Sequence, residues 1–243
     1  MKTLFWPGVT IILVFSFFCG GASSKELLIA FPANLPPWTL QGHDSGITVE
    51  IVRQALRLRG HQLKTKYLPL KQLNQTLDAD AHAQVESLYM RGYFSTKITE
   101  FHTSLISLKP RAVRVHSVED LKDKKIITFE NASALFGPAF QEMSQANPDY
   151  QEIVNQELQV VQLYNGQTDL ILIDRNTFLY FRQITAMTNT SMPITYHQIL
   201  GLTERSSTFV VFKDEKLRDD FNIGLQELKE NGAYYDIFYT YTR

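Results

Sequence analysis

Apolar residues in this chain fall into short unbroken runs that alternate with one-sided helical patterns. LLIAF, Leu27 to Phe31, is continuous apolar sequence of the kind carried by a strand buried on both faces. Pro36-Pro37 then forbids a helix. GITVEIVRQALRLRG follows, with Ile47, Ile51, Ala55 and Leu58 on one helical face and Gly60 where a helix stops. QLKTKYL alternates and predicts a second strand, PLKQLNQTL opens a helix at Pro69, and AQVESLYM predicts a third strand. This is the strand-helix-strand rhythm of a doubly wound sheet.

The middle of the chain repeats it. VEDLKDKKIITF reads as a short helix and a strand, Lys125 to Phe129. NASALFGPAFQEMSQANP predicts one helix closed by Asn147-Pro148, and NQELQVVQLYNG another stopped by Gly166. GQTDLILIDRN places a fully apolar strand, Leu170 to Ile173, directly before an acid, a guanidinium and an amide, and TFLYFRQI continues as helix. STFVVF is a last strand. DEKLRDDFNIGLQELKENG is a helix with Asp214 as N-cap, Gly232 just past its end, and Leu217, Phe221, Leu225 and Leu228 on one face. No repeat or low-complexity linker separates the two α/β units, which predicts two lobes packed closely together.

The first residues have a different pattern. Lys2, an apolar run from Val9 to Phe18, and small residues ending GGAS have the three-part layout of a secretory leader, residues 1–23, with Gly20 and Ala22 at the −3 and −1 positions of cleavage. Cys19 opens the alternative of a lipid anchor, against which stands the bulky Phe18 before it. Cys19 is the only cysteine, so cleavage leaves no thiol for a disulfide, a metal or a nucleophile. The whole chain carries a net charge of -1, and without Lys2 about -2, with no basic run; nucleic acid is not an expected partner. The expected product is an exported globular protein. Asn-x-Ser/Thr triplets at Asn74, Asn131 and Asn189 are read as chance.

The order of these pieces resembles the family 3 extracellular solute-binding proteins, the receptors that feed amino-acid ABC transporters. FPANLPPWTLQGHDSGITVEIVRQAL is similar to the family's opening, HSVEDLKDKKIITFENAS to the stretch that opens its second lobe, YNGQTDLILID to its Gly-x-x-Asp strand, and FVVFKDEKLRDDFNIGLQELKENGAYYDIFYTY to its C-terminal signature. The resemblance implies a two-lobed periplasmic-binding-protein type II fold. Each lobe would be a mostly parallel sheet flanked by helices, joined by two hinge crossings. Lobe 1 would hold residues 24–106 and 198–243, and lobe 2 residues 107–197.

Ligands of open α/β sheets sit beyond the carboxyl ends of the strands, and the resemblance directs attention to the residues there. Asp174 is where the family receives a ligand's α-ammonium, a charge-assisted contact; capping of the following helix by Asp174 or Asn176 is the plain alternative. Arg175 beside it is either a contact or a solvated arginine. Asn131 and Ser133 begin a helix whose N–H groups suit a carboxylate, or they merely cap it. Trp38 after the prolines would be an aromatic wall, or a buried tryptophan. Glu50 matches the family's acidic helix position, or is solvated. The arginine that clamps the ligand carboxylate in the family is replaced by Ser95, and Arg91 or Lys97 would have to compensate, Arg91 the better placed.

Other chemistry finds little footing. The six histidines lack zinc-site spacing, and neither a phosphate loop nor a Gly-x-Ser-x-Gly elbow occurs. The expectation is therefore a monomeric periplasmic binder of a small polar or amino-acid-like molecule, with no enzymatic activity, cofactor or metal, that delivers its solute to an ABC permease. The alternatives are a sensory subunit working through a membrane sensor, and a dehydratase-like enzyme using Glu130, Asp174 or Glu50.

Overall fold

The computed structural model describes residues 24–73, 78–85, 91–199, 201–202 and 205–243. The chain opens with β1 (Glu26–Pro32), α1 (Ile47–Leu58), β2 (Gln62–Leu68), the single turn α2 (Leu70–Leu73) and β3 (Ala81–Val85). β4 (Tyr93–Phe94) and the long β5 (Thr99–Leu108) follow. Next come β6 (Ile126–Phe129), α3 (Ala132–Leu135), α4 (Gly137–Ala146), β7 (Tyr150–Ile153), α5 (Gln156–Tyr164), β8 (Leu170–Asp174) and α6 (Arg175–Ile184). The chain closes with β9 (Ile194–His197), β10 (Arg205–Phe212), α7 (Glu215–Glu230) and α8 (Ala233–Thr242).

The strands make one ten-stranded sheet with the order β2-β1-β3-β10-β5-β8-β6-β7, β4 pairing with β10 and β9 with β5. The outer strands pair in parallel, β1 with β2 and β3, and β6 with β7 and β8. β10 and β5 lie between them and run antiparallel to their neighbours. β5 serves both halves: Thr99 to His102 pair with β10, and Thr103 to Ile106 pair with β8.

Apolar burial divides along the same seam. Ile29 and Phe31 of β1, Ile51 and Ala55 of α1, Val210 and Phe212 of β10, and Phe221 and Leu225 of α7 form one core. Across the seam, Leu105, Leu170 and Leu172 face Phe140 and Met143, while Ile106, Ile171 and Ile173 face Leu163 and Phe178 on the opposite side. β8 is thus apolar from Leu170 to Ile173 because successive side chains, which point to opposite faces, enter two different cores. Each such Leu or Ile contributes about 1.5–3 kcal/mol relative to exposure. α6 also packs on α8, so the two halves meet beyond the sheet.

Several elements match the apolar pattern, and others correct it. α7 begins as expected, with the Asp214 carboxylate accepting from the N–H groups of Lys216 (2.8 Å) and Leu217 (3.1 Å), and Gly232 lies beyond its last turn in the left-handed region. The helix expected over 131–148 is two helices. Gly137 takes φ +81° and Pro138 has no N–H to offer the preceding turn, so α3 ends before α4 starts. The short helix in VEDLKD is a 3-10 turn, Glu119–Leu121. β3 begins two residues before AQVESLYM, at Ala81; the remainder of that segment, 86–90, lies outside the described residues, as do 74–77 of the helix expected from Pro69, Asn74 among them, and residues 1–23, where a leader is expected. β4, β5, β7 and β9 were not expected from the apolar pattern.

Candidate functional site

β8 delivers Asp174 to the carboxyl edge of β6 and β8, where α6 starts. Its Oδ1 accepts from the Thr177 N–H (2.9 Å) and the Thr177 hydroxyl (3.1 Å), which caps α6. Its Oδ2 accepts from the His102 N–H of β5 (2.8 Å). The Thr177 hydroxyl is also 3.2 Å from the carbonyl oxygen of Pro36 in the loop after β1. Asp174 therefore sits where the loop after β1, the shared strand β5 and the start of α6 converge. It is 8% exposed, and among the described residues no cationic side chain pairs with it. Burial pushes its pKa up, opposed by the Thr177 and His102 N–H groups, the Thr177 hydroxyl and the Trp38 indole.

Trp38 is 1% exposed, with ring centroids 4.6 Å from Phe101 and 6.2 Å from Phe238. It is part of the first core in this conformation and presents no open wall. Its indole N–H favours the charge on Asp174 and has no hydrogen-bond partner among the described residues. The loop that carries it is tied to α1: the N–H groups of Ile47 and Thr48 donate to the Pro37 and Trp38 carbonyls (2.8 and 3.0 Å). Gly46 makes this possible. A Cβ there would lie 2.6 Å from the Trp38 oxygen, and its φ of +122° suits glycine alone.

At the end of β6, Asn131 adopts φ +65° and Ser133 lies in the single turn α3. Their N–H groups are already engaged: each donates to Glu152 of β7 at 2.7 Å, and the Tyr150 hydroxyl donates to the same carboxylate at 2.8 Å. The anion at this helix start is one of the chain's own side chains. Burial works against the charge on Glu152, yet Ser133, Tyr150 and the Asn131 N–H outweigh it and hold its pKa below the ordinary carboxylate value.

The remaining candidates lie apart from these two carboxylates. Glu50 pairs with Arg53, which also binds Asp44 (2.9 Å), and borders a surface hollow with Arg57, Leu228 and Ala233. Arg175 is exposed and stacks on Tyr196, its guanidinium carbon 4.9 Å from the ring centroid. Arg91 is exposed and directly follows the segment outside the described residues. Lys97 pairs with Glu100 (2.7 Å). Ser95 is buried; its hydroxyl donates to the Thr96 carbonyl (2.7 Å) and accepts from the Val210 N–H (3.0 Å), so it fixes the backbone beside β10. Among the described residues, no group of His, Cys, Asp and Glu is placed to hold a metal ion.

The structure brings Asp174 and Trp38 together and joins Asn131 to Ser133 through Glu152. Sequence reasoning missed His102, Thr177, Tyr150 and Glu152. Two faint signals pointed to three of them: a threonine three residues after Asp174, where an N-cap acid finds its donor, and the Tyr-x-Glu alternation that sends Tyr150 and Glu152 to one face of a strand; His102 had no local signal.

This architecture is the two-lobed periplasmic-binding-protein type II fold, a mixed sheet flanked by helices. No protein-family model matches the chain, and no curated protein matches its sequence. Solved structures match its fold. The GluR0 ligand-binding core in complex with L-glutamate superposes with a TM-score of 0.66 at 14% identity, covering 91% of this chain and 100% of that one. An ancestral cationic amino acid solute-binding protein gives 0.68 at 14% identity, with 90% and 96% covered. A probable amino-acid ABC transporter extracellular-binding protein from Bacillus subtilis gives 0.66 at 18% identity, with 90% and 99% covered. At these identities the likeness is one of fold.

Proposed function

We propose that the protein is a periplasmic solute-binding protein of the family 3 type that captures a small polar or amino-acid-like ligand between its lobes and presents it to an ABC permease. In this reading residues 24–106 and 198–243 are lobe 1, residues 107–197 are lobe 2, and residues 1–23 direct export. The protein acts as a monomer and binds its ligand without transforming it.

The observation that carries the proposal is Asp174: a carboxylate that is almost fully buried at the meeting point of the two halves, held by two N–H groups and a hydroxyl, and without a counter-cation among the described residues. A desolvated charge of this kind gains most from a partner that brings the opposite charge into the site. The contacts around it also suit a closing movement. Thr177 to Pro36 and α6 to α8 join the halves, and a ligand that touches both sides would favour that closed state over an open one. The shared fold with amino-acid-binding proteins is in keeping with this role.

Thermal unfolding in the presence of amino acids, amines and small organic acids tests it. Ligand at a hundred times its Kd stabilises by about 2.7 kcal/mol, or roughly 5–10 °C in melting temperature for a chain of this size. Asp174→Asn keeps an oxygen for the Thr177 N–H and removes the charge, and should abolish the shift. Undiminished affinity in that variant would remove Asp174 from the site.

A further inference from the structure

A second carboxylate stands on the same face of the sheet as Asp174, and this narrows the ligand. Glu152 pairs in register with Thr128 of β6, and Thr128 with Leu172 of β8, so these side chains share one face of the sheet. Asp174, two residues beyond Leu172, shares that face. The two carboxylates thus stand on one side of the sheet, at the carboxyl ends of β7 and β8. Glu152 is firmly held. Beyond the N–H groups of Asn131 and Ser133, it takes the hydroxyl of Tyr150, whose ring packs on Phe140 (5.8 Å between centroids) and whose oxygen lies 3.0 Å from the Thr128 hydroxyl. Arg175, the cation adjacent to Asp174 in the chain, is turned to Tyr196. At the same end of the sheet, Leu135 of α3 and Val154 after β7 are 67% and 76% exposed.

We infer that the site takes an organic amine without a carboxylate, Asp174 receiving the ammonium and Glu152 turning away the carboxylate that an amino acid would bring. The inference rests on the reading of Asp174 as the ammonium site. A carboxylate arriving at α3 finds both N–H groups occupied and meets a like charge, so selection operates by repulsion as well as by attraction. An amine meets two acids instead, and Leu135 and Val154 offer its carbon skeleton an apolar surface.

Matched pairs that differ only by the carboxylate test this: agmatine and arginine, cadaverine and lysine, tyramine and tyrosine, phenethylamine and phenylalanine. Each is titrated calorimetrically into the purified exported protein and into Glu152→Ala, with Glu152→Gln as a second variant that keeps the shape and loses the charge. Unfolding curves without ligand report that each variant folds. The expected result is at least one amine bound about a hundredfold or more tighter than its amino acid, with that ratio falling below about tenfold in both variants as the amino acid gains affinity. Amino acids that bind the parent protein as tightly as their amines would overturn the inference, while the Asp174 reading survives if Asp174→Asn still abolishes binding. An unchanged ratio in both Glu152 variants overturns it as well. Silence from every compound of both sets overturns the inference and the Asp174 reading together.

Discussion

Gly224 offers a quantitative test of how closely the first core is packed. It lies on the face of α7 that crosses α1, and a Cβ there would stand 2.1 Å from the Ala55 carbonyl oxygen, 2.9 Å from the Ala55 carbonyl carbon and 3.0 Å from Arg59 Cγ. Ordinary contact begins near 3.4 Å, so Gly224→Ala requires the helices to part by roughly 1.3 Å along that line. The two nearest atoms are backbone and cannot rotate aside. Neither helix can retreat easily: Phe221 of α7 packs on Phe212 of β10 with centroids 5.3 Å apart, and Ile51 and Ala55 of α1 are fully buried. Overpacking costs about 1–3 kcal/mol, and a backbone clash belongs at the upper end. The gain in helix propensity from glycine to alanine returns about 1 kcal/mol. The net expectation is a loss of about 2 kcal/mol, or roughly 4–8 °C in Tm. Circular-dichroism melts and urea titrations of Gly224→Ala would measure it, with Gly42→Ala as control, since nothing lies within 4 Å of a Cβ at Gly42. A variant that melts at or above the parent would refute the close crossing as the reason for glycine.

Trp38→Ala removes a fully buried side chain from between Phe101 and Phe238 and should cost about 3–5 kcal/mol, seen as a lower urea midpoint; a loss under about 1 kcal/mol would show the ring to be dispensable to the core. His197 is buried with its Nε2 2.8 Å from the Ser107 hydroxyl, and burial together with the nearby His116 charge lowers its pKa. A lowered histidine pKa favours the neutral ring in the folded state. Its contribution is fully present above the unfolded value of about 6.5 and fades as pH falls from there through the lowered folded value. Urea titrations between pH 8 and pH 4 should show stability declining over that window, and His197→Gln should flatten the decline; an identical pH profile in the variant would contradict the assignment.

Much of the framework was legible because its signals are local. β1, α1, β2, β8, α6 and α7 follow the apolar pattern, each supported by a continuous run or a helical face. β5 escaped notice because TEFHTSLISL carries polar residues at positions that are buried. Thr99 meets Thr208 across the pair with β10, and Ser107 meets His197 across the pair with β9. Hydrogen bonds to partners 109 and 90 residues distant satisfy these hydroxyls, so their burial costs little but leaves no mark in the surrounding pattern. The broken helix was readable in principle, since Gly137-Pro138 stands in its middle, yet the flanking apolar residues spoke for continuity.

The candidate site divides in the same way. Asp174 was visible as the acid that ends an apolar strand, and its capping of α6 needs only the three residues that follow. The His102 N–H on its other oxygen depends on β5 lying beside β8, 72 residues away in sequence. The engagement of Asn131 and Ser133 by Glu152 likewise depends on β7 pairing with β6.

The sequence by itself determined that β1 and β8 are strands buried on both faces, where α1, α6 and α7 begin, and that an acid stands at the end of β8, because periodicity, caps and chain breaks are properties of neighbouring residues. Only the tertiary structure decided that this acid is closed in without a counter-cation among the described residues, that Trp38 belongs to the core, and that a second carboxylate fills the turn after β6. The two carboxylate outcomes follow from the order β5-β8-β6-β7, and the burial of Trp38 from its packing against Phe101 of β5 and Phe238 of α8. Sheet order brings together groups far apart in the chain, and the burial and hydrogen bonding of a charge depend on everything around it.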